Sequence, residues 1–189
     1  MSTDDRTLEQ RIQEIEDRDE LHALIARYSR ALDDFDLDAL MELFTDDYQI
    51  DHVDGSVSAR GPEEVRRFYG ELIGTYSMSI HYPRSQVVEW IDGDQAAGWV
   101  VGHAEFARDD KFVVSALRYD DEYRKIDGRW RFAHRTHNFW YFVESTELAA
   151  AAVTREALRW PPGPPRAANL PAQWPGGARA LANLEQRKA

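Results

Sequence analysis

The 189-residue sequence contains no cysteine. That absence excludes disulfide scaffolds, cysteine nucleophiles and zinc–thiolate centres. Positive charge is scarce as well: 23 Lys and Arg stand against 34 Asp and Glu, a formal net charge of −11. An acidic surface repels phosphate backbones and no local basic patch offsets it, so no nucleic-acid partner is expected. No apolar run is long enough to span a bilayer, and the opening Met-Ser-Thr-Asp-Asp lacks the basic and apolar regions of a leader. The expectation is a cytoplasmic protein with no membrane partner. A phosphate-binding glycine loop, a dinucleotide fingerprint and a nucleophile elbow are all missing. What is present is core material, because 43% of residues are hydrophobic and 12% aromatic, well above the composition of a disordered chain. The length suits one domain with an appended segment.

From Thr7 to Leu32 the apolar residues Leu8, Ile12, Ile15, Leu21, Ile25, Tyr28 and Leu32 recur mainly at steps of three and four, which predicts an amphipathic helix. Asp36 then N-caps a short helix carrying Leu37, Leu40, Leu43 and Phe44. Asp47 to Val53 reads as a strand turned by Asp54-Gly55, and Pro62 to Ile73 as a third helix with acids in its first turn. Beyond Gly74 four long strands follow, Ser77 to Ile91, Gln95 to Arg108, Lys111 to Ile126 and Arg129 to Phe142. Their separators, Asp92-Gly93-Asp94, Asp109-Asp110 and Asp127-Gly128, are hairpin signals. Helices followed by consecutive antiparallel strands predict an α+β domain over residues 1–143 whose curved sheet folds over the helices. Residues 144–189 form a C-terminal appendage: an Ala-rich helix over Glu144 to Arg159, then a Pro-rich tail expected to be extended or mobile. Trp160 and Trp174 in that tail suggest docking on a surface.

Several polar residues interrupt the apolar pattern. Tyr28 lies on the helix stripe and Asp33 five residues on; five residues turn a helix by about 500°, so both face one cavity only if the helix stops or bends before Asp33. His81 opens a long strand. An Asp33 carboxylate beside it would fix its tautomer and make it a general base. Trp99, Val101, His103 and Glu105 share one strand face, which is either the solvent face of a half-buried sheet or a pocket wall. Tyr119, Asp121 and Tyr123 share a face of the next strand, and Arg135, His137, Phe139 and Tyr141 one of the last. Arg135 is then either an oxyanion stabiliser or a surface cross-strand ion pair. His134 and His137 fall on opposite strand faces, and no metal-ligand set with recognised spacing occurs.

Read in order, Ala26-Arg27-Tyr28-Ser29-Arg30-Ala31-Leu32-Asp33, Asp36-Leu37-Asp38-Ala39-Leu40, Gly61-Pro62-Glu63-Glu64-Val65, Ile80-His81-Tyr82 and Tyr123 to Trp130 resemble a SnoaL-like domain of the nuclear transport factor 2 superfamily, from about Leu8 to Tyr141. The resemblance implies a cone-shaped α+β barrel in which a long, curved, mostly antiparallel sheet wraps three N-terminal helices around a deep apolar pocket. Within the superfamily the chain is more similar to the scytalone dehydratase, bile acid 7α-dehydratase and hexachlorocyclohexane dehydrochlorinase group than to ketosteroid isomerase. It implies catalytic roles for Asp33, His81, Tyr28 and Arg135, with pocket contacts from His52, Trp99, His103, Glu105, Tyr119 and Phe139. Phe44, Phe68 and Trp140 are expected in the pocket lining too. His52 occupies the position of the isomerase's catalytic Asp, which argues against a standard steroid isomerase. Phe139 stands near where the bile acid enzyme has an Arg, and Glu105 matches an acid of its third long strand. The implied function is a dehydratase-like elimination on a small hydrophobic, cyclic substrate, with no metal or organic cofactor, in a homo-oligomer, trimer or dimer. Isomerase, cyclase, epoxide hydrolase and non-catalytic ligand-binding module are the alternatives, since this fold hosts many functions.

Overall fold

Thr7 opens the first helix in a capping box, its hydroxyl accepting from the Gln10 amide at 3.2 Å while its own amide donates to Gln10 Oε1 at 2.8 Å. In the computed structural model, which describes residues 6–187, this helix is α1 (Leu8–Asp33), followed by α2 (Leu37–Met41), strands β1 (Phe44–His52) and β2 (Ser58–Arg60), α3 (Gly61–Ile73), the long strands β3 (Met78–Asp92), β4 (Gln95–Arg108), β5 (Lys111–Ile126) and β6 (Arg129–Glu144), and the C-terminal helices α4 (Leu148–Thr154) and α5 (Pro175–Gln186). Only the second half of α1 is core: Leu21, Leu24, Ile25, Tyr28, Ala31 and Leu32 are buried, whereas Leu8, Ile12 and Ile15 stay exposed. The sheet first grips the helix at Asp17, which accepts from the Trp130 indole at 3.0 Å and pairs with Lys125 at 2.6 Å. Asp36 caps α2 by accepting from the Ala39 amide at 2.9 Å.

One six-stranded sheet, in the order β2-β1-β6-β5-β4-β3, makes the wall of the cone. Every neighbouring pair is antiparallel except β1 with β6. The Asp-Gly signals form the hairpins: Asp127 and Gly128 both take positive φ, 51° and 75°, which matches the right-handed twist of the strands they join. Register shifts at Pro83/Ser85 and Val88/Trp90 in β3, and in β6 opposite Ala116/Leu117 and Glu122/Tyr123 of β5, bend the long strands around α1 and α3. The strand expected from Asp47 starts at Phe44, and β2 lay outside the sequence expectation because three residues carry no periodicity.

The C-terminal segment departs from the expectation. The helix expected over Glu144 to Arg159 stops at Thr154, where Arg155 enters the left-handed region at φ 64°. The chain then folds back along the sheet instead of trailing away. Leu158 bridges to both Phe142 and Arg166, the Leu170 amide donates to the Phe139 carbonyl at 2.9 Å, and Asn169 Oδ1 accepts from the Phe139 amide at 3.0 Å. Ala157, Leu158, Ala168 and Leu170 are buried. Pro175, expected to break structure, sits in the first turn of α5, where its missing N–H is an orphan donor anyway. Trp174 packs on Trp140, and the Arg118 guanidinium lies between the rings of Trp99 and Trp174 at 5.3 and 5.2 Å. Among the described residues no helix is long and apolar enough to cross a membrane.

Gly98 marks the tightest approach in the wall: a Cβ there would lie 2.2 Å from the Val87 carbonyl oxygen. Gly98→Ala is expected to destabilise the fold by about 1–3 kcal/mol in urea unfolding. Gly163→Ala, in open space, should stay within about 0.5 kcal/mol of the parent.

Candidate active site

The end of α1 and the start of β3 meet at one carboxylate. Asp33 Oδ1 accepts from His81 Nδ1 at 2.7 Å, and Oδ2 accepts from the His81 backbone amide at 3.0 Å. The Ser79 hydroxyl donates to Oδ1 at 3.3 Å. Two bonds from one residue fix both position and ring orientation: with Nδ1–H committed to the carboxylate, the neutral imidazole carries its lone pair on Nε2. The helix does not stop before Asp33, which is its last residue. Tyr28 faces the cavity directly, whereas Asp33 acts on it through His81, so no bend is needed.

His81 borders each of three adjoining lobes of the cone interior. The central lobe, about 40 Å³, is walled by Tyr28, Leu72, Tyr119, His137, Phe139 and Trp160. A second of about 10 Å³ lies toward Ile25 and Val100, and a third of about 10 Å³ toward Phe35, Tyr76 and Phe106. The lining is mostly hydrocarbon and contains no Asp, Glu, Lys or Arg.

Behind this wall sits a charge that the cavity does not touch. Arg135 is fully buried and bidentate on Asp121, at 2.7 and 2.8 Å. Its guanidinium carbon lies 4.2 Å from the Tyr28 ring, 3.9 Å from Tyr119 and 4.3 Å from Phe132. Burial opposes the charge, but the Asp121 carboxylate outweighs it and holds the Arg135 pKa well above its ordinary range. The Tyr28 and Tyr69 hydroxyls are 3.1 Å apart, and burial pushes the Tyr69 phenol well up. Two buried histidines stack beside them with ring centres 5.2 Å apart: burial takes His52 down to about 4 and His137 well below the usual imidazole range. Among the described residues no group of three or more His, Asp or Glu is arranged to hold a metal ion.

The model of the SnoaL-like domain family matches residues 13–136. The chain belongs to the SnoaL-like domain family. Uncharacterised proteins of Mycobacterium tuberculosis and Mycobacterium bovis are 30% identical over 128 residues, covering 66% of this chain and 86% of each relative. The structure of a hexachlorocyclohexane dehydrochlorinase from Novosphingobium barchaimii superimposes with a TM-score of 0.64 at 19% identity, over 70% of this chain and 92% of that one. A protein assigned as a scytalone dehydratase from Novosphingobium aromaticivorans gives 0.65 at 19% identity, over 69% and 89%. At these identities the likeness establishes a shared cone-shaped α+β fold.

Against this SnoaL-like frame, Asp33, His81, Tyr28, Tyr119 and Phe139 come together at the cavity, and His52 lies just behind His137, Phe139 and Trp160. Arg135 is not in the lining, nor is it a surface pair; its charge is spent on Asp121 inside the wall. Trp99 and Glu105 fall on the outer face of the sheet, because Ala96, Val100, Ala104 and Phe106 take the inner one. His103 touches the rim of one lobe beside Gly102, but its Nδ1 accepts from Arg84 Nε at 2.8 Å. Trp140 also faces outward, against Trp174. Phe44 and Phe68 are core packing around Tyr69 rather than lining. Sequence reasoning passed over His137 as a cavity wall, although its shared face with Arg135 and Phe139 was an available signal; Trp160, expected to dock on a surface, packs against the central lobe.

Two outcomes follow for stability. Asp121→Leu strands the buried Arg135 charge and is expected to cost about 3–5 kcal/mol, read by thermal denaturation. For His52 the folded value of about 4 lies below the unfolded 6.5, so between these the unfolded chain binds the extra proton and stability falls as pH falls. The expected loss from pH 6.5 to 4 is on the order of 3 kcal/mol, and His52→Phe should flatten the upper part of that slope in urea titrations.

Proposed function

We propose that this protein is a cofactor-free lyase of the dehydratase kind, acting on a small hydrophobic, cyclic substrate through the Asp33–His81 dyad. The supporting observation is that His81, held by Asp33 at 2.7 Å, borders every lobe of a cavity lined mainly by hydrocarbon. His81 Nε2 takes a proton from a substrate carbon next to an activating group. The C–H electron pair becomes the new C=C bond, the C–O bond on the neighbouring carbon breaks, and the departing hydroxyl leaves as water with a proton returned by the imidazolium. The negatively charged Asp33 stabilises that imidazolium while it exists. Tyr28, polarised by its bond to Tyr69, donates to the oxygen on which charge develops. The aromatic walls exclude water and offer flat faces to a ring, which enters by spreading them. In this reading residues 1–143 are the catalytic unit and 144–189 an appended wall, in a cytoplasmic homo-oligomer, dimer or trimer.

The same base and phenol would also serve an isomerase, with the proton returned to a second carbon of an enolate; product mass separates the two. The test is a panel of cyclic β-hydroxy ketones with products read by mass spectrometry. Loss of one water is expected, and His81→Ala and Asp33→Asn should each lower kcat by about 10²–10⁴ without unfolding the chain. Constant product mass moves the reading to isomerisation. Turnover untouched in both variants ends the dyad reading, and saturable binding without turnover on every ring tried leaves a ligand-binding module.

A further inference from the structure

The elimination steps leave several polar groups of the cavity unused, and His137 is the most deeply set in charge-opposing surroundings. His137 is carried inward by β6 between Arg135 and Phe139, only 7% exposed, and borders the central lobe together with His81. Its ring centre lies 4.7 Å from Tyr119, 5.2 Å from His52 and 5.9 Å from Phe139. Its Nε2 has no hydrogen-bond partner among the described residues. Leaving a buried polar atom unpaired is costly, so each one calls for a partner or an explanation. His52 stands behind it, fixed by Nδ1 against the Ser56 hydroxyl at 3.1 Å, so the ring stack is held from the side away from the cavity.

We propose that His137 is the substrate-recognition residue of this site, a neutral imidazole hydrogen-bonded to a hydroxyl or carbonyl oxygen of an uncharged cyclic molecule. The inference rests on the reading of Asp33 and His81 as the catalytic pair of the same cavity. The charge inventory sets the substrate class. No Asp, Glu, Lys or Arg borders any of the three lobes, and the nearest guanidinium, Arg135, is neutralised by two bonds to Asp121. A carboxylate or phosphate entering here would lose its hydration and find no counter-charge. His137 does not supply one: burial, and then His52, Arg135 and His81 around it, disfavour its protonation. An imidazole in that state offers one N–H and one lone pair, which suit a hydroxyl or carbonyl and not an anion. The base at His81 and the recognition group at His137 then border the same lobe.

Three probes of one shape test this by ¹H–¹⁵N NMR titration: 1-indanol, indane and indane-1-carboxylate, with the Trp160 indole signal reporting occupancy of the cavity. The wild type should bind 1-indanol about tenfold more tightly than indane, as expected for one hydrogen bond to an otherwise unpaired buried group, and bind the carboxylate weakest. His137→Phe should erase the preference for 1-indanol over indane while leaving indane within about twofold; His137→Gln, which keeps a donor and an acceptor, should restore part of it. Melting curves of both variants confirm a folded chain, and if H137F fails to fold, H137Q against wild type carries the comparison. An unchanged preference in H137F and H137Q, tighter binding of the carboxylate, or no binding of any probe overturns the role of His137. Turnover loss in His81→Ala and Asp33→Asn is read separately, so a failed His137 prediction with an intact dyad effect removes this inference alone.

Discussion

The buried ion pair between Arg135 and Asp121 is the constraint on which the cavity depends. It joins β5 to β6 at directly opposed positions and stands flat behind the rings of Tyr28, Tyr119 and Phe132. Replacing such a pair by hydrocarbon is often harmless in itself, but removing one partner is not. Here the pair also sets the height of the cavity floor, because Tyr28 and Tyr119 rest on the guanidinium. A third contact, the Tyr123 hydroxyl donating to Asp121 Oδ2 at 2.9 Å, completes the carboxylate's partners and ties the pair to the core beneath. The positive charge is thereby retained inside the protein without being offered to the cavity. That separation permits a polar wall of phenols and imidazoles to remain uncharged.

The two histidines facing the cavity differ because their surroundings differ. His81 has a carboxylate on Nδ1, its side chain 11% and that of Asp33 26% exposed. His137 has no carboxylate beside it, and the groups around it, His52, Arg135 and His81, all oppose a proton. Desolvation and the placement of a single carboxylate thus set the two imidazoles apart.

Much of the frame was legible in the residue order. The 3.6-residue recurrence in α1, Asp36 as a cap, Pro62 at a helix start and the Asp-Gly turns are local signals, and each marks the element it should. The contact of Asp33 with His81, 48 positions apart, was beyond spacing alone and entered through the family resemblance. Strand faces were the weak point. Period-2 alternation puts Trp99, His103 and Glu105 together correctly but carries no sign for which face is inward; the small residues Ala96, Gly98, Gly102 and Ala104 opposite them decide it, since only small side chains leave room for a cavity against α1. Bulges add a second difficulty: the register shift at Ala116/Leu117 places Phe139 inward and Tyr141 outward, where uninterrupted alternation pairs them on one face.

The C-terminal segment shows how one cone fold acquires an individual interior. The family match ends at residue 136, so the helix ends, strands and dyad lie within the shared part, while the wall at the mouth does not. Trp160 reaches back to sit 4.8 Å from His52 and 5.9 Å from both Phe68 and Phe142, ring centre to ring centre. It is held there by the bridge of Leu158 to Phe142 and by Arg166, which donates to the Trp160 carbonyl at 2.5 Å. A large aromatic fixed at the cavity wall by its own backbone pairing restricts the size of what enters more firmly than a mobile flap would. In the proposed elimination the proton-transfer pair then lies on α1 and β3, inside the family match, whereas Trp160 shapes the cavity from outside it; a shared fold can vary the second while keeping the first.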